Sequence, residues 1–451
     1  MGQRPRRLPL ASLALGLLLT ACASGPSSQS IRRVQRYILT EDYAGAESYL
    51  ERSKESEYGR KNMVLYHLDR GLVLHHAGKY LESEASFDVA ESRIEELYTK
   101  SLSQAAGMLL LNDNTVDYAG EPFERALTNV FRALNYLLLG KPDEALVESR
   151  KVEAFLDELS ERLERKNTYK DDAFARYLDA LLYADQGKWD DSRISLTAAR
   201  KVYSWYSTAY NTPAPPFELP ALRPSEGELV FIHYNGVAPR KISKTFQVAW
   251  SKASAIARAD QEEGRDARFR NALTAGFIGS AVTVSYPEYV QDPFKVASSE
   301  VRVGTAAAAT LLVEDISAIA IKTLRDRMAV IKARAIARAT VKYVIAESIA
   351  RGMGESCDKK HGRGSLKAQA CRALSRGLAH GSAAATEAAD TRGWSSLPSQ
   401  IRLARLRLPP GTHEVQALFK DAGGEVLASK AFKDIKIQGS RRTYLAYRTA
   451  L

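Results

Sequence analysis

The feature that most constrains the fold is a pattern of small and large residues that occurs twice with the same spacing. One copy reads Gly71-x2-Leu74-x3-Gly78-x-Tyr80-x2-Ser83-x3-Phe87-x2-Ala90, and the other reads Ala180-x2-Tyr183-x3-Gly187-x-Trp189-x2-Ser192-x3-Leu196-x2-Ala199. The small residues let two helices approach closely, the large residues fill the space between them, and the central glycine permits a turn. The pattern therefore predicts helical hairpins.

Weaker copies of the pattern indicate that the hairpins belong to an array. They read Tyr43-x2-Ala46-x3-Leu50 and Ala133-x2-Tyr136-x3-Gly140-x-Pro142-x2-Ala145, in a stretch nearly free of proline. This pattern resembles the tetratricopeptide repeat, and the resemblance implies a helical repeat domain over residues 31–204. Insertions interrupt the array, because its turn positions are unevenly spaced. An irregular helical bundle is the alternative.

The first 30 residues have the parts of a bacterial lipoprotein signal. Three arginines precede an apolar run that ends at Leu19, and this run, of roughly a dozen residues, is too short to span a bilayer. The sequence Leu19-Thr20-Ala21-Cys22 resembles a lipobox, in which the cysteine thiol accepts a diacylglycerol before cleavage. We expect a signal peptide at 1–21, followed by lipidated Cys22 and a flexible tether at 22–30.

The tether and the charge together suggest where the chain works. Removing residues 1–21, with their three arginines, lowers the formal net charge from +11 to +8. A basic envelope protein can meet anionic lipid or the carboxylates of peptidoglycan, and we expect no nucleic acid partner outside the cytoplasm. Ala23 after the cysteine fits the enterobacterial pattern for sorting to the outer membrane. The expected location is therefore the outer membrane, lipid-anchored and facing the periplasm.

Two further cysteines, Cys357 and Cys371, are candidates for a disulfide. In an oxidising compartment this spacing can close a loop, which stabilises a fold by on the order of 3 kcal/mol. Two separate reduced thiols are the alternative. A zinc site would need His361 and His380, whose spacing matches no common site.

A second metal motif is incomplete. Asp113, Asp117 and Glu124 take positions 1, 5 and 12 of a calcium-binding loop, but Tyr118 stands at the sixth position, where that loop needs glycine. We therefore expect a solvated loop and no metal.

The chain beyond the array divides into three parts. Prolines interleaved with aromatic residues predict a linker at 205–226, for which carbohydrate stacking is an alternative role. Residues 227–395 predict a mixed α/β region with strands from Gly227 and from Ala281. Alternating short strands from Ile401 onward predict a small β-rich module at 396–451. The fold class is α+β, with several domains.

A long helix is predicted at 313–351 within the mixed region. Glu314 and Asp315 match the charge preference of a helix start, and Gly352-Met353-Gly354 matches a helix end. Its basic stripe, formed by Arg327, Arg334, Arg338 and Lys342, is expected to be a solvated face, with contact to anionic lipid or glycan as the alternative. Residues 354–389 are expected to be loop-like or loosely helical.

The sequence contains none of the common catalytic motifs that we considered. The sequence contains neither a His-Glu-x-x-His motif nor a nucleophile elbow nor a phosphate-binding loop. His67, His75 and His76 lie on a repeat helix, where packing is the expected role. The remaining polar candidates are expected to brace domain packing rather than form a site: His233, Asp390, Arg392, Trp394 and His413. We expect no enzyme and no cofactor.

These motifs together resemble a family of tetratricopeptide-containing lipoproteins of Gram-negative bacteria. The resemblance is carried by the lipobox, the degenerate repeats and the helix that begins at Glu314-Asp315 with its arginines. It is also carried by Tyr118-x-Gly120-Glu121, Phe231-Ile232-His233-Tyr234-Asn235-Gly236, and Asp390-Thr391-Arg392-x-Trp394 through Gly411-Thr412-His413. It implies an envelope location and no established catalytic residues.

The expected function is a non-enzymatic scaffold that binds envelope proteins through the repeat groove. Peptidoglycan and another lipoprotein are further candidate partners. The alternative is a protein that binds or modifies peptidoglycan or surface polysaccharide.

Anchoring is predicted to depend on one sulfur atom. Cys22→Ser should release the chain from membranes, because no acyl chain can then be attached. Fractionation in high salt checks this, and a variant that still sediments with the outer membrane would show another anchor.

Overall fold

The computed structural model describes residues 25–104, 116–162, 169–253, 281–385 and 387–450, and its architecture is α+β. The N-terminal part is helical. Its helices are α1 (Ser28–Leu39), α2 (Tyr43–Ser53), α3 (Met63–His76), α4 (Tyr80–Gln104), α5 (Pro122–Leu138), α6 (Pro142–Arg162), α7 (Ala173–Asp185) and α8 (Trp189–Ala209).

Three of the helix-to-helix turns have the same backbone structure. Gly78, Gly140 and Gly187 join α3 to α4, α5 to α6 and α7 to α8, with φ angles of +74°, +72° and +71°. In each turn the glycine amide and the amide of the following lysine donate to carbonyls of the preceding helix at 2.8–3.1 Å. Such left-handed caps favour glycine. The spacing in the sequence therefore corresponds to repeated hairpins.

Small residues lie where the paired helices touch. The Ser83 hydroxyl donates to the Gly71 carbonyl at 2.7 Å, and the Ser192 hydroxyl donates to the Ala180 carbonyl at 2.8 Å. These bonds join equivalent positions of the two best copies of the pattern. Each hairpin is thus held by side-chain contact as well as by its turn.

The folded part begins inside the segment that was expected to be a tether. Ser27 caps α1 by accepting from the Ser30 amide at 3.1 Å, and the Ser27 amide donates to Glu57 at 2.8 Å. A Cβ atom on Gly25 would lie 2.8 Å from the Arg392 side chain. The expected flexible tether at 22–30 is therefore wrong from residue 25 onward, because polar side chains fix this stretch.

Strands and helices alternate after the array. The strands are β1 (Gly227–Asn235), β2 (Arg240–Ala249), β3 (Ala281–Val290), β4 (Ser298–Val303), β5 (Ala306–Ala309), β6 (Leu311–Asp315), β7 (Gln400–Leu408), β8 (Gly411–Lys420), β9 (Val426–Ile437) and β10 (Arg442–Thr449). Between β6 and β7 lie α9 (Ile316–Asp326), α10 (Met328–His361) and α11 (Leu366–Ala385).

The strands form two four-stranded sheets and one hairpin. The first sheet has the order β10-β1-β7-β6, the second has the order β5-β4-β8-β9, and β2 pairs with β3. Strand β1 runs parallel to β10 and antiparallel to β7. Residues 396–451 therefore do not form a separate β-rich module: β7 and β10 flank β1, and β8 pairs with β4.

Strand β1 is buried on both faces. Leu229 and Phe231 belong to a core between the two sheets, whereas Val230, Ile232 and Tyr234 belong to the core shared with the helices. A continuous apolar strand is the expected result of burial on both sides. The first sheet thus forms the middle layer between the helical array and the second sheet.

The long helix predicted at 313–351 is wrong at both ends. Leu312 and Glu314 pair with β7, and Asp315 caps α9 by accepting from the Ala318 amide at 2.8 Å. Helix α10 then runs past Gly352 and Gly354 to His361. The residues expected to form the first helical turn pair with β7 instead. In α10, apolar packing outweighs the low helix propensity of Gly352 and Gly354.

The aromatic linker is part of the core. Helix α8 reaches Ala209, and Tyr206 and Tyr210 are fully buried with ring centroids 4.7 Å apart. Phe217 packs 5.9 Å from Tyr203. The three rings fasten the linker to the array, and Tyr206 and Tyr210 are not available to stack on sugar.

Gly71 should tolerate no side chain. A Cβ atom there would lie 2.7 Å from the Phe87 ring, so Gly71→Ala should lower the free energy of unfolding by about 1–3 kcal/mol. Gly377→Ala is the matched control, since its Cβ would meet nothing within 4 Å. Chemical denaturation should separate the two, and equal stability would contradict the packing described here.

Candidate functional site

The inner face of the helical array is covered by the chain itself. The Trp394 ring lies between Phe87 and Phe131, with centroid distances of 5.7 and 5.9 Å. The Trp394 amide donates to Glu124 at 2.8 Å, and the Ser396 amide and hydroxyl donate to one oxygen of Asp69 at 3.1 and 2.6 Å. Residues 394 and 396 therefore cover this part of the helical array.

Several residues of the family resemblance meet around Glu124. Its carboxylate accepts from the Tyr118 hydroxyl at 2.5 Å and from the Glu121 amide at 3.0 Å. Burial alone would raise the pKa of Glu121, but ion pairs with Lys241 and Arg327 hold it at about 2. Sequence spacing gave no sign that Lys241 and Arg327 belong to this cluster.

Arg392 joins this cluster to the array. Its guanidinium pairs with Asp390 at 2.7 Å and donates to the Val116 carbonyl at 2.8 Å. It also lies 5.0 Å from the centre of the Tyr118 ring. The space beside these residues is only about 20 Å³, which is enough for about one water molecule. The cluster therefore fastens the segment that follows α11 to the helices.

The predicted histidines have separate partners. His233 is buried between the Ser299 and Thr449 hydroxyls, each at 2.8 Å, and burial lowers its pKa to about 3. His413 contacts the Pro409 carbonyl at 2.9 Å. His67 contacts Ser86, and His380 contacts Glu347.

His75 and His76 lie at the end of α3. His75 contacts Asn135 at 2.7 Å and Tyr234 at 2.9 Å, whereas His76 accepts from Arg448 at 2.8 Å. Within the described residues, no group of three or more His, Cys, Asp or Glu side chains could hold a metal ion. Asp113 lies outside the described residues, and Asp117 pairs with Arg93.

The basic stripe is not a solvated face along its whole length. Arg338 is buried, and Glu387 pairs with Arg338 at 3.3 Å and with Lys342 at 2.7 Å. Arg327 pairs with Glu121, as described above, and Arg334 is exposed. Two of the four charges are thus used to hold the segment after α11 against α10.

A disulfide joins the two long helices. Cys357 of α10 and Cys371 of α11 are bonded, with their Cα atoms 5.9 Å apart. Buried small residues surround this contact and allow the helices to pack closely: Ala346, Ala350, Gly354, Ala368, Ser375 and Ala379. The stretch expected to be loop-like or loosely helical is therefore mostly helical, and the disulfide closes it against α10.

The α10–α11 hairpin exposes uncharged faces, which we call the hairpin face. Its large members are between 38 and 65 % exposed: Ile345, Ile349, Met353, Leu374 and Leu378. Small exposed residues alternate with them at helical spacing: Ser348, Gly352, Ser356, Ala370, Ala373, Gly377 and Gly381. A Cβ atom on Gly352, Gly377 or Gly381 would meet nothing within 4 Å, so shallow gaps separate the apolar side chains.

Comparison with family models, with curated proteins and with solved structures finds no match to this chain. Across the described ranges, no helix is both long and apolar enough to span a bilayer. Cys22, the predicted lipidation site, lies outside the described residues.

The disulfide has a direct chemical test. Non-reduced digests of the native protein should contain a peptide pair linked through Cys357 and Cys371, because the two sulfur atoms are bonded. Mass spectrometry before and after reduction measures this. Full alkylation of both thiols in the native, non-reduced protein would show that the bond is absent.

Proposed function

We propose that this chain is a non-enzymatic scaffold lipoprotein of the outer membrane, and that the hairpin face binds a helix of an envelope protein. Lipid on Cys22 would anchor it with its folded part towards the periplasm. The hairpin face carries the proposal, because contiguous exposed apolar side chains mark interaction surfaces.

The composition of the hairpin face favours a helix as the bound element. Its small residues recur three and four positions apart, as in Gly377 and Gly381, which lets another helix backbone come close. Leu374 and Leu378 would then enter the grooves of that helix. Since about half of each large side chain is still exposed, covering it would contribute about 1 kcal/mol.

The sequence suggested that the helical array binds partners in its groove. In this proposal the array has a different role in the scaffold. The shared turns and small contact residues agree with a tetratricopeptide-like array and with the lipoprotein family named above. In this proposal the array is a rigid platform that binds residues 394–396 of its own chain. A partner would then bind outside the inner face.

The glycan-directed alternative loses some of the residues that favoured it, whereas Trp205, Phe217 and Arg334 keep exposed surface. The linker aromatics Tyr206 and Tyr210 are buried. Arg338 and Lys342 are paired with Glu387. We therefore retain the protein scaffold as the single proposal.

Photo-crosslinking in intact envelopes tests the proposal. A photoreactive amino acid in place of Leu374 should give a defined crosslink to another protein, whereas the same group in place of Val147 should not. Val147 is a matched control because it lies on α6 with 58 % exposure. Ile349→Glu should remove most of the crosslink, since a charge would have to be buried.

The alternative outcomes are distinct. Crosslinks only between copies of this chain, or only to lipid, would overturn the proposal of a different protein partner. Equal crosslinking from positions 374 and 147 would show that the hairpin face is not selective. Circular dichroism of Ile349→Glu checks that its fold is intact.

A further inference from the structure

A cavity of about 200 Å³ lies where the first helices meet the first sheet. Its walls come from α2, the α3–α4 turn, β1 and β10. The residues that matter here are Tyr43, His76, Tyr80, Tyr234, Tyr447 and Arg448. It is separate from the hairpin face, and its role does not depend on the proposed scaffold function.

Arg448 places a buried positive charge at this cavity. Arg448 is only 3 % exposed. Its terminal nitrogens donate to His76 and to the carbonyls of Ser396, Gly236 and Leu397 at 2.6–3.2 Å. All four acceptors are neutral. Among the described residues, Arg448 forms no ion pair, and its Nε–H has no hydrogen-bond partner.

An unpaired buried charge is costly unless something compensates it. Removing one partner of a buried ion pair is strongly destabilising, because the remaining charge is left without compensation. The acidic residue of the cavity lining, Glu41, is already paired with Lys430 at 2.8 Å and accepts from Tyr447. The described walls therefore carry a Glu41–Lys430 ion pair and, in addition, the positive charge of Arg448.

Two neighbours of Arg448 add hydrogen-bond donors. His76 accepts from Arg448 through Nε2, so its proton is on Nδ1, and burial together with Arg448 lowers its pKa well below the usual range. Burial raises the pKa of Tyr43 to about 12, so its hydroxyl remains protonated. Both groups line the same cavity as Arg448.

The remaining walls are aromatic. The rings of Tyr43 and His76 are 6.1 Å apart, and those of His76 and Tyr234 are 5.2 Å apart. A cavity of about 150 Å³ can hold benzene, so this one has room for a ring with a small substituent. Its chemistry combines an anion-binding end with an apolar body.

We propose that this cavity binds a small organic monocarboxylate of about the size of benzoate. The carboxylate would accept from the Tyr43 and His76 donors, and its negative charge would lie beside the buried Arg448 side chain and compensate it. The aromatic walls would contact the apolar body. Aromatic walls and a single unpaired guanidinium favour a monocarboxylate over a polyanion such as phosphate.

Benzoate is the probe, and its neutral analogue benzamide is the matched ligand control. Calorimetry on the full mature chain should detect benzoate binding and at least tenfold weaker binding of benzamide. Tyr43→Phe should weaken benzoate at least tenfold, because one donor to a charged group is lost. Tyr183→Phe, in α7 and outside the cavity lining, should leave the affinity unchanged.

A variant that fills the cavity tests the proposal without changing Arg448, whose replacement could unfold the protein. Ala446→Leu should abolish benzoate binding by occupying the cavity while leaving Arg448 in place. Benzoate with no effect at millimolar concentration would overturn the proposal. Equal binding of benzamide or chloride would overturn it as well, because neither is a monocarboxylate.

Discussion

The structure depends on the burial of strand β1 from every side. Its neighbours β10 and β7 pair with both of its edges, in parallel and antiparallel registers respectively. Its alternate side chains enter two different cores, one shared with the helices and one with the second sheet. Because a strand has only two faces and two edges, β1 leaves no surface for water. The helical array and the second sheet are therefore attached to one another through this strand.

Buried ion pairs fix the geometry of that attachment. Glu228 of β1 pairs with Arg405 of β7 at 2.8 Å and with Arg442 of β10 at 2.6 Å. Arg442 also pairs with Asp185 at the end of α7, at 2.5 Å. A buried charge that loses its partner is strongly destabilising, whereas a complete set is tolerated. These contacts therefore select one arrangement of array and sheet.

This arrangement changes what the helical array can do. One of its faces packs on Trp394 and on β1, so this surface is internal. The exposed apolar side chains lie instead on the disulfide-closed hairpin α10–α11. The cavity beside Arg448 lies at the junction of the helical array and the first sheet.

Local patterns in the sequence determined the parts that depend on neighbouring residues. The glycine spacing predicted the hairpin turns at Gly78, Gly140 and Gly187, and the apolar run from Gly227 predicted a buried strand. The α+β class follows from the order of these patterns. They succeed because turn conformation and helical or strand period are set within about ten residues.

Tertiary structure decided everything that rests on distant pairing. Glu314 belongs to a strand because it pairs with β7. Strand β10 does not belong to a separate C-terminal module, because it pairs in parallel with β1, which lies more than 200 residues earlier in the chain. The burial and the charge partners of Glu124 and Arg448 also could not be predicted from the sequence. The reason is physical: burial and charge pairing depend on which surfaces meet in space, and a local pattern carries no information about the surface that will cover it.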